Sequence, residues 1–90
     1  MTIYEKELIC QLEQNYPKLS TARLMQKLMD MGVIDFSRCK ILAVRSHVEQ
    51  LVKQGEKKID AMWSAAEYFA CSYEYVRKCM YYYQDVNIVN

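Results

Sequence analysis

The scarcity of turn-forming residues constrains this chain more than any other feature of its sequence. Its ninety residues include only two glycines and one proline, and 52% of them are apolar. A β-domain of many short strands needs more turn formers, and a disordered chain holds fewer apolar side chains. Ninety residues bury enough surface for one modest core. The sequence therefore predicts an all-α fold, a compact five-helix domain.

Apolar spacing and local end signals divide the chain into five predicted helices. They cover about residues 3–15, 20–31, 35–54, 57–69 and 72–84. The residues that favour helix ends are Pro17, Gly32 and Gly55 as stops, and Ser20, Thr21 and Ser72 as N-caps. We predict a single helical domain over residues 1–84 and a frayed tail over residues 85–90.

The apolar residues of all five helices recur at helical spacing and define the predicted core. The residues of this predicted core are Leu8, Ile9, Leu12 and Tyr16 in the first helix, Leu24, Met25, Leu28 and Met31 in the second, Ile41, Val44, Val48, Leu51 and Val52 in the third, Ile59, Met62, Trp63, Ala66 and Phe69 in the fourth, and Val76, Cys79, Met80 and Tyr83 in the fifth. Trp63 is interpreted as a core residue, and His47 as a boundary residue of the third helix.

The charge balance and the apolar runs indicate no membrane partner. The chain has twelve Lys and Arg and eleven Asp and Glu, which leaves a formal net charge of +1. No charged tail therefore indicates a nucleic-acid or membrane partner. The apolar runs are too short to span a bilayer, and the first residues form no apolar signal stretch. We therefore expect a cytoplasmic protein.

The cysteines and the histidine supply no recognisable catalytic or metal site. Cys10, Cys39, Cys71 and Cys79 form no Cys-x-x-Cys pair, and His47 is the single histidine. We interpret the last three cysteines as core residues in a reducing compartment, and Cys10 as partly exposed. No Gly-rich phosphate loop, metal-ligand cluster or Cys–His pairing is visible in the sequence. We expect no enzymatic activity, no cofactor, no metal and no small-molecule substrate.

Residues 62–80 carry the most specific pattern in the chain. Two amphipathic helices joined by so short a turn are expected to cross steeply. A small residue is followed four positions later by a second small residue. An apolar residue and a polar N-cap come directly after it, and a further apolar residue lies four positions beyond the cap. The residues in these positions are Ala66, Ala70, Cys71, Ser72 and Val76, with Phe69 and Cys79 in two further apolar positions. This segment resembles the helix-turn-helix of DNA-binding proteins.

The resemblance implies a sequence-specific DNA-binding regulator, of the transcriptional, mobile-element or phage type. Its helix-turn-helix would span about residues 58–84, with residues 72–84 as the recognition helix in the major groove of double-stranded DNA. With the helices before it, the chain is similar at the level of fold to the Trp-repressor-like group, which implies a dimer. Glycine is commoner than alanine at the turn position, so Ala70 would cost about 1 kcal/mol if its φ is positive.

The predicted DNA contacts lie opposite the apolar stripe of the fifth helix. They are Tyr73, Glu74, Arg77, Lys78 and Tyr81, with Lys57 and Lys58 at the start of the fourth helix. Arginine pairs with guanine, glutamate accepts from cytosine, and lysine and tyrosine bind phosphate. The alternative interpretation of Arg77 and Lys78 is the solvated face of a terminal helix.

A second function stays open: a helical protein–protein adaptor that binds no nucleic acid. Residues 53–84 hold five Lys or Arg and four Asp or Glu, which supports it. Six of the eight tyrosines lie beyond residue 67, and Tyr81, Tyr82 and Tyr83 point in different directions on a helix. We hypothesise that the end of the fifth helix forms part of a homodimer contact or of a site for a protein partner.

Overall fold

The computed structural model describes residues 1–88 and is all-helical over that range. Its five helices are α1 (Ile3–Asn15), α2 (Thr21–Asp30), α3 (Phe36–Lys53), α4 (Lys58–Tyr68) and α5 (Tyr73–Tyr82). No strand occurs in residues 1–88. The all-α class and the five predicted helices are confirmed, with bounds that differ from the predicted ones by about two residues at most.

Contacts along the chain define two compact units. The first unit is Met1–Ile34, with α1 and α2, and the second is Asp35–Asn90, with α3, α4 and α5. Thr2 and Ser20 cap these two helices by accepting from backbone N–H groups, but no residue of α1 or α2 is buried. Met25 and Met31 are exposed, so the prediction that they face a core is wrong, because two helices alone enclose too little volume to bury a full apolar stripe. The apolar core therefore lies in the second unit.

The second unit is built on three helices that contact one another in pairs. Its buried apolar residues are Ile41, Val44, Val48, Ala61, Met62, Ala65, Ala66, Val76, Cys79, Met80 and Val86. The prediction that Cys79 is a core residue is confirmed, while Cys39 and Cys71 are half-buried and Cys10 is exposed. Each helix thus buries one stripe and leaves the opposite stripe to solvent.

The buried face of α4 differs from the predicted one. Trp63 is 57% exposed and Ile59 is 62% exposed, so the prediction that they lie in the core is wrong. Ala61 and Ala65 are fully buried in their place. The physical reason is that small side chains let neighbouring helices approach closely, which favours the alanine row over the bulkier one.

The last predicted core position also lies outside the buried stripe. Tyr83 is 37% exposed, because α5 ends at Tyr82 and Tyr83 has a non-helical backbone. The helical spacing that predicted it inward no longer applies beyond that point. Val52, the last predicted position of α3, is exposed as well.

The connection between α4 and α5 consists of residues 69–72 and is tightly hydrogen-bonded. The N–H of Cys71 donates to the carbonyl of Ala66 at 3.0 Å, and the N–H of Ala70 donates to Glu67 at 3.2 Å. This pair of bonds is the Schellman motif, which places Ala70 in the left-handed region with φ +52°. Ser72 then caps α5 by accepting from the N–H of Tyr75 at 3.0 Å.

Residues after α5 are held by a buried arginine of α3. Arg45 is only 5% exposed and donates to the carbonyls of Cys79, Met80 and Val86 at 3.0, 2.8 and 2.6 Å. Its remaining nitrogen, Nη2, donates to the Asn87 side chain at 2.9 Å and to the Glu49 carboxylate at 3.4 Å. This arrangement of residues 85–88 differs from the frayed tail predicted over residues 85–90, of which the last two lie outside the described residues.

Candidate nucleic-acid interface

The outer side of α5 carries five of the seven predicted contact residues. Glu74, Arg77, Lys78 and Tyr81 are exposed, and Tyr73 is half-buried. The opposite side of α5, with Val76, Cys79 and Met80, is buried. A helix held along one side by α3 and α4 thus leaves a continuous polar and aromatic side available to a ligand.

The start of α4 lies beside the end of this outer side. The ammonium group of Lys58 lies 4.6 Å from the ring centre of Tyr81, a cation–π contact between α4 and α5. Lys57, the residue before it, is exposed at the N-cap of α4. The structure thereby brings Lys58 next to the predicted contact residues of α5, with Lys57 adjacent to it in the chain.

Lys57 is a poor helix cap and makes no side-chain capping bond. The other four helices have Thr2, Ser20, Asp35 and Ser72 as N-caps, each accepting from a backbone N–H. A lysine at the positive end of a helix dipole is unfavourable unless an anion lies close to it. The Asp60 carboxylate in the first turn of α4 is the acidic group that the chain itself places near this helix end.

Glu74 and Arg77 form an exposed ion pair in the middle of the outer side. Their closest atoms are 3.5 Å apart, one helical turn along α5. Exposed pairs of this kind contribute at most about 1 kcal/mol. The Arg77 guanidinium can therefore exchange this partner for a phosphate or a guanine at small cost.

The beginning of the outer side is flanked by an aromatic stack. The rings of Trp63 in α4 and Tyr73 in α5 are 4.3 Å apart at an angle of 19°. The stack explains why Tyr73 is half-buried although it belongs to the outer side. Trp63 was not among the predicted contacts. The buried Ala61 and Ala65 lie two positions before and after it, about 200° away around the helix, so the burial of the alanine row leaves Trp63 exposed.

The inner side of α5 holds a tyrosine in an unusual environment. Burial, together with a hydrogen bond to the Cys79 side chain, raises the pKa of Tyr75 to about 12. Burial also raises the pKa of the Cys79 thiol. A thiol kept protonated in this way is a packing residue rather than a nucleophile.

Arg45 is a buried charged residue that sequence reasoning missed. It lies four residues after Ile41 and three before Val48, on the buried row of α3. An arginine on an apolar row signals a buried group whose N–H donors need carbonyl partners. Here it satisfies two carbonyls of the last turn of α5 and so positions the helix that carries the candidate interface.

Two other kinds of site are not found in the part of the chain that the structure describes. Within residues 1–88, no group of three or more His, Cys, Asp or Glu side chains could hold a metal ion. None of the helices in the same range is long and apolar enough to cross a bilayer.

Compared with known proteins, the chain matches no protein-family model, no curated protein and no solved structure.

Proposed function

We propose that the protein is a sequence-specific DNA-binding regulator in which α4 and α5 form a helix-turn-helix. The helix α5 is the recognition helix and lies in the major groove of double-stranded DNA. The observation that carries this proposal is the outer side of α5, where exposed Arg77 and Lys78 lie on a helix whose opposite side is buried against α3 and α4.

The turn between the two helices supports the proposal. A left-handed residue, a half-buried cysteine and a serine cap follow one another at residues 70, 71 and 72. Ala66 is buried, as a close approach of the second helix requires. These features match the steric reasons for the helix-turn-helix pattern found in the sequence.

The charge of the seven predicted contact residues also supports it. They include four cations, Lys57, Lys58, Arg77 and Lys78, and one carboxylate, Glu74. The rest of the second unit offsets this excess, since residues 35–90 hold eight Lys or Arg and seven Asp or Glu. The positive charge is therefore concentrated where the recognition helix would meet phosphates and bases.

A homodimer fits this function, because two recognition helices can bind half-sites about one helical turn apart. Tyr81, Tyr82 and Tyr83 are all exposed at the end of α5 and offer aromatic surface for a second copy. Sedimentation of the wild-type chain at high micromolar concentration tests this part of the proposal. A dimer that a Tyr82→Ser substitution disrupts supports it, and a wild-type monomer contradicts it.

The DNA-binding proposal is tested by selection from a random duplex library, followed by titration of the selected duplex. We expect Arg77→Ala to weaken binding about tenfold or more, and Lys78→Ala to weaken it less, with both melting temperatures unchanged. Lys6→Ala, which removes an exposed cation from α1 in the first unit, is the control and leaves affinity unchanged. If the library yields no selected sequence, or if both α5 variants bind like wild type, the proposal is wrong.

The second candidate function is the protein–protein adaptor. The exposed aromatic residues Trp63, Tyr68 and Tyr82 favour it, because aromatic side chains are enriched where proteins contact each other. The same titration separates the two functions. An adaptor gives no selected duplex, whereas a DNA-binding protein gives one whose affinity depends on salt.

A further inference from the structure

The stacked pair Trp63 and Tyr73 lies beside the N-terminal turn of α5. Trp63 leaves more than half of its surface to solvent, although an indole ring is among the largest apolar groups a protein can bury. Its ring is fixed by stacking on Tyr73 at 4.3 Å. The result is a rigid, flat apolar surface on the same side of the molecule as the predicted contact residue Tyr73.

This surface borders a cleft of about 470 Å³. The cleft is lined by Trp63, Ser64, Ala66, Glu67, Cys71, Ser72 and Tyr73. Its lining includes the Glu67 carboxylate and no lysine or arginine, so it offers a phosphate no cation to pair with. Its aromatic wall and small side chains instead fit an uncharged apolar group.

One group in the major groove of DNA has this chemistry. The 5-methyl group of thymine is the apolar feature of the base edges there, and side chains that discriminate thymine contact it with apolar surface. Deoxyribose is also partly apolar, but phosphates flank it on both sides, and Glu67 disfavours them. A base edge therefore fits the cleft better than the DNA backbone does.

We propose that the Trp63–Tyr73 pair contacts the 5-methyl group of a thymine and so contributes to sequence specificity. The inference rests on the proposed binding of DNA by α5, and it assigns to α4 a role in reading a base. The charged residues of α5 would bind phosphates and other bases, while this aromatic pair selects one thymine at the edge of the site.

Deoxyuridine, which lacks the 5-methyl group, provides the test. Each thymine of the selected duplex is replaced in turn by deoxyuridine, and affinity is measured by fluorescence anisotropy. We expect one replacement to weaken wild-type binding about fourfold, the effect of leaving one methyl group in water. Trp63→Ala is expected to bind the two duplexes equally, and Trp63→Phe, which keeps a flat apolar ring, to retain part of the difference.

Tyr68→Ala is the matched control for these variants. Tyr68 is an exposed aromatic residue of the same helix, 72% exposed, and stacks on His47 at 4.6 Å, away from the cleft. It is expected to retain the full difference between thymine and deoxyuridine. Thermal melting of each variant verifies that the fold is intact.

The outcomes separate this inference from the proposed function. If wild-type affinity depends on Arg77 but no deoxyuridine replacement changes it, the thymine contact is wrong and DNA binding stands. If Trp63→Ala keeps the wild-type difference, the contact belongs to another residue and the inference is again wrong. If no selected duplex is bound at all, both proposals fail.

Discussion

Ala70 holds a left-handed backbone conformation that residues with a side chain rarely adopt. Gly32 and Gly55 occupy the same position after α2 and α3, with φ +76° and +104°. All three ends have the bonding pattern of the Schellman motif, so the backbone requires the same geometry in each case. Ala70 adopts this geometry with a side chain present, which lowers the free energy of unfolding relative to glycine.

Ala70→Gly is therefore expected to stabilise the second unit. The gain in the free energy of unfolding is about 1 kcal/mol, the cost of a left-handed alanine. Chemical denaturation measures it. Gly55→Ala is the reverse control and is expected to lose stability by a similar amount, although no atom lies within 4 Å of the added Cβ. A destabilised Ala70→Gly variant would show that the turn is not left-handed in solution.

Arg45 is a second residue whose substitution has a defined outcome. Arg45→Met leaves the carbonyls of Cys79, Met80 and Val86 without their donor, and we expect a loss of about 3 kcal/mol or more in the free energy of unfolding. Arg38→Met is the control, because Arg38 forms an exposed ion pair with Asp85 at 3.4 Å, which contributes little. Equal losses in the two variants would contradict the structural role of Arg45.

At the scale of the helices, the alanines of α4 determine how closely its neighbours pack. Ala61, Ala65 and Ala66 are all buried, and α4 contacts both α3 and α5. Ala65→Leu is expected to destabilise the fold by about 1–3 kcal/mol, because Ala65 is fully buried and the added atoms have no space to occupy. Ala43→Leu, on the exposed side of α3, is the control and should have little effect. An Ala65→Leu variant with wild-type stability would exclude close packing at this point.

The packing of α5 also predicts how stability depends on pH. The pKa of Tyr75 is about 12 in the folded protein, above its ordinary value of 10.0. Between these values the unfolded chain binds fewer protons at Tyr75 than the folded one, so stability falls as the pH rises from about 10 to about 12. We expect Tyr75→Phe to reduce this fall in denaturation measured across that range. A Tyr75→Phe profile that matches the wild type would contradict the buried environment of Tyr75.

The helices themselves could be predicted from the sequence, because each carries its own local signals. Ser20 and Ser72 cap helices at the predicted places, and Gly32 and Gly55 follow the ends of α2 and α3. These effects act within a few residues of the chain, which makes them visible in a single sequence.

The orientation of α4 could not be predicted in the same way. Hydrophobicity favoured Trp63 and Ile59 as core residues, whereas the tertiary structure buries Ala61 and Ala65. The choice depends on how closely α3 and α5 approach α4, which is a property of three helices together. The interface residues of α5 were placed on its outer side because Val76, Cys79 and Met80 define an unambiguous buried stripe.

Contacts between distant parts of the chain were the other feature that the sequence did not reveal. Arg45 and Val86 are bonded across 41 residues, and no periodic pattern predicts such a pairing. The stack of Trp63 on Tyr73 likewise depends on the turn between α4 and α5. Both features are consequences of the tertiary fold rather than of local propensity.

At the scale of the whole molecule, the account depends on a small number of charges rather than on the net charge. The chain has a formal charge of +1 at pH 7, so it has no general attraction for DNA. In the proposed interface, binding comes from Lys57, Lys58 and Lys78 at the phosphates and from Arg77 at a base. Such a protein would differ from polycationic chains, which bind any duplex.

The salt dependence of binding to the selected duplex tests this claim most directly. With three lysine–phosphate contacts for each chain, the logarithm of the association constant is expected to fall linearly with the logarithm of the salt concentration, with a slope of about −3 for one bound chain and about −5 for the proposed dimer. A Lys57→Ala, Lys58→Ala double variant should reduce the slope by about 2 for each bound chain, without a change in melting temperature. Affinity that does not respond to salt, or a slope unchanged in the double variant, would contradict the proposed interface.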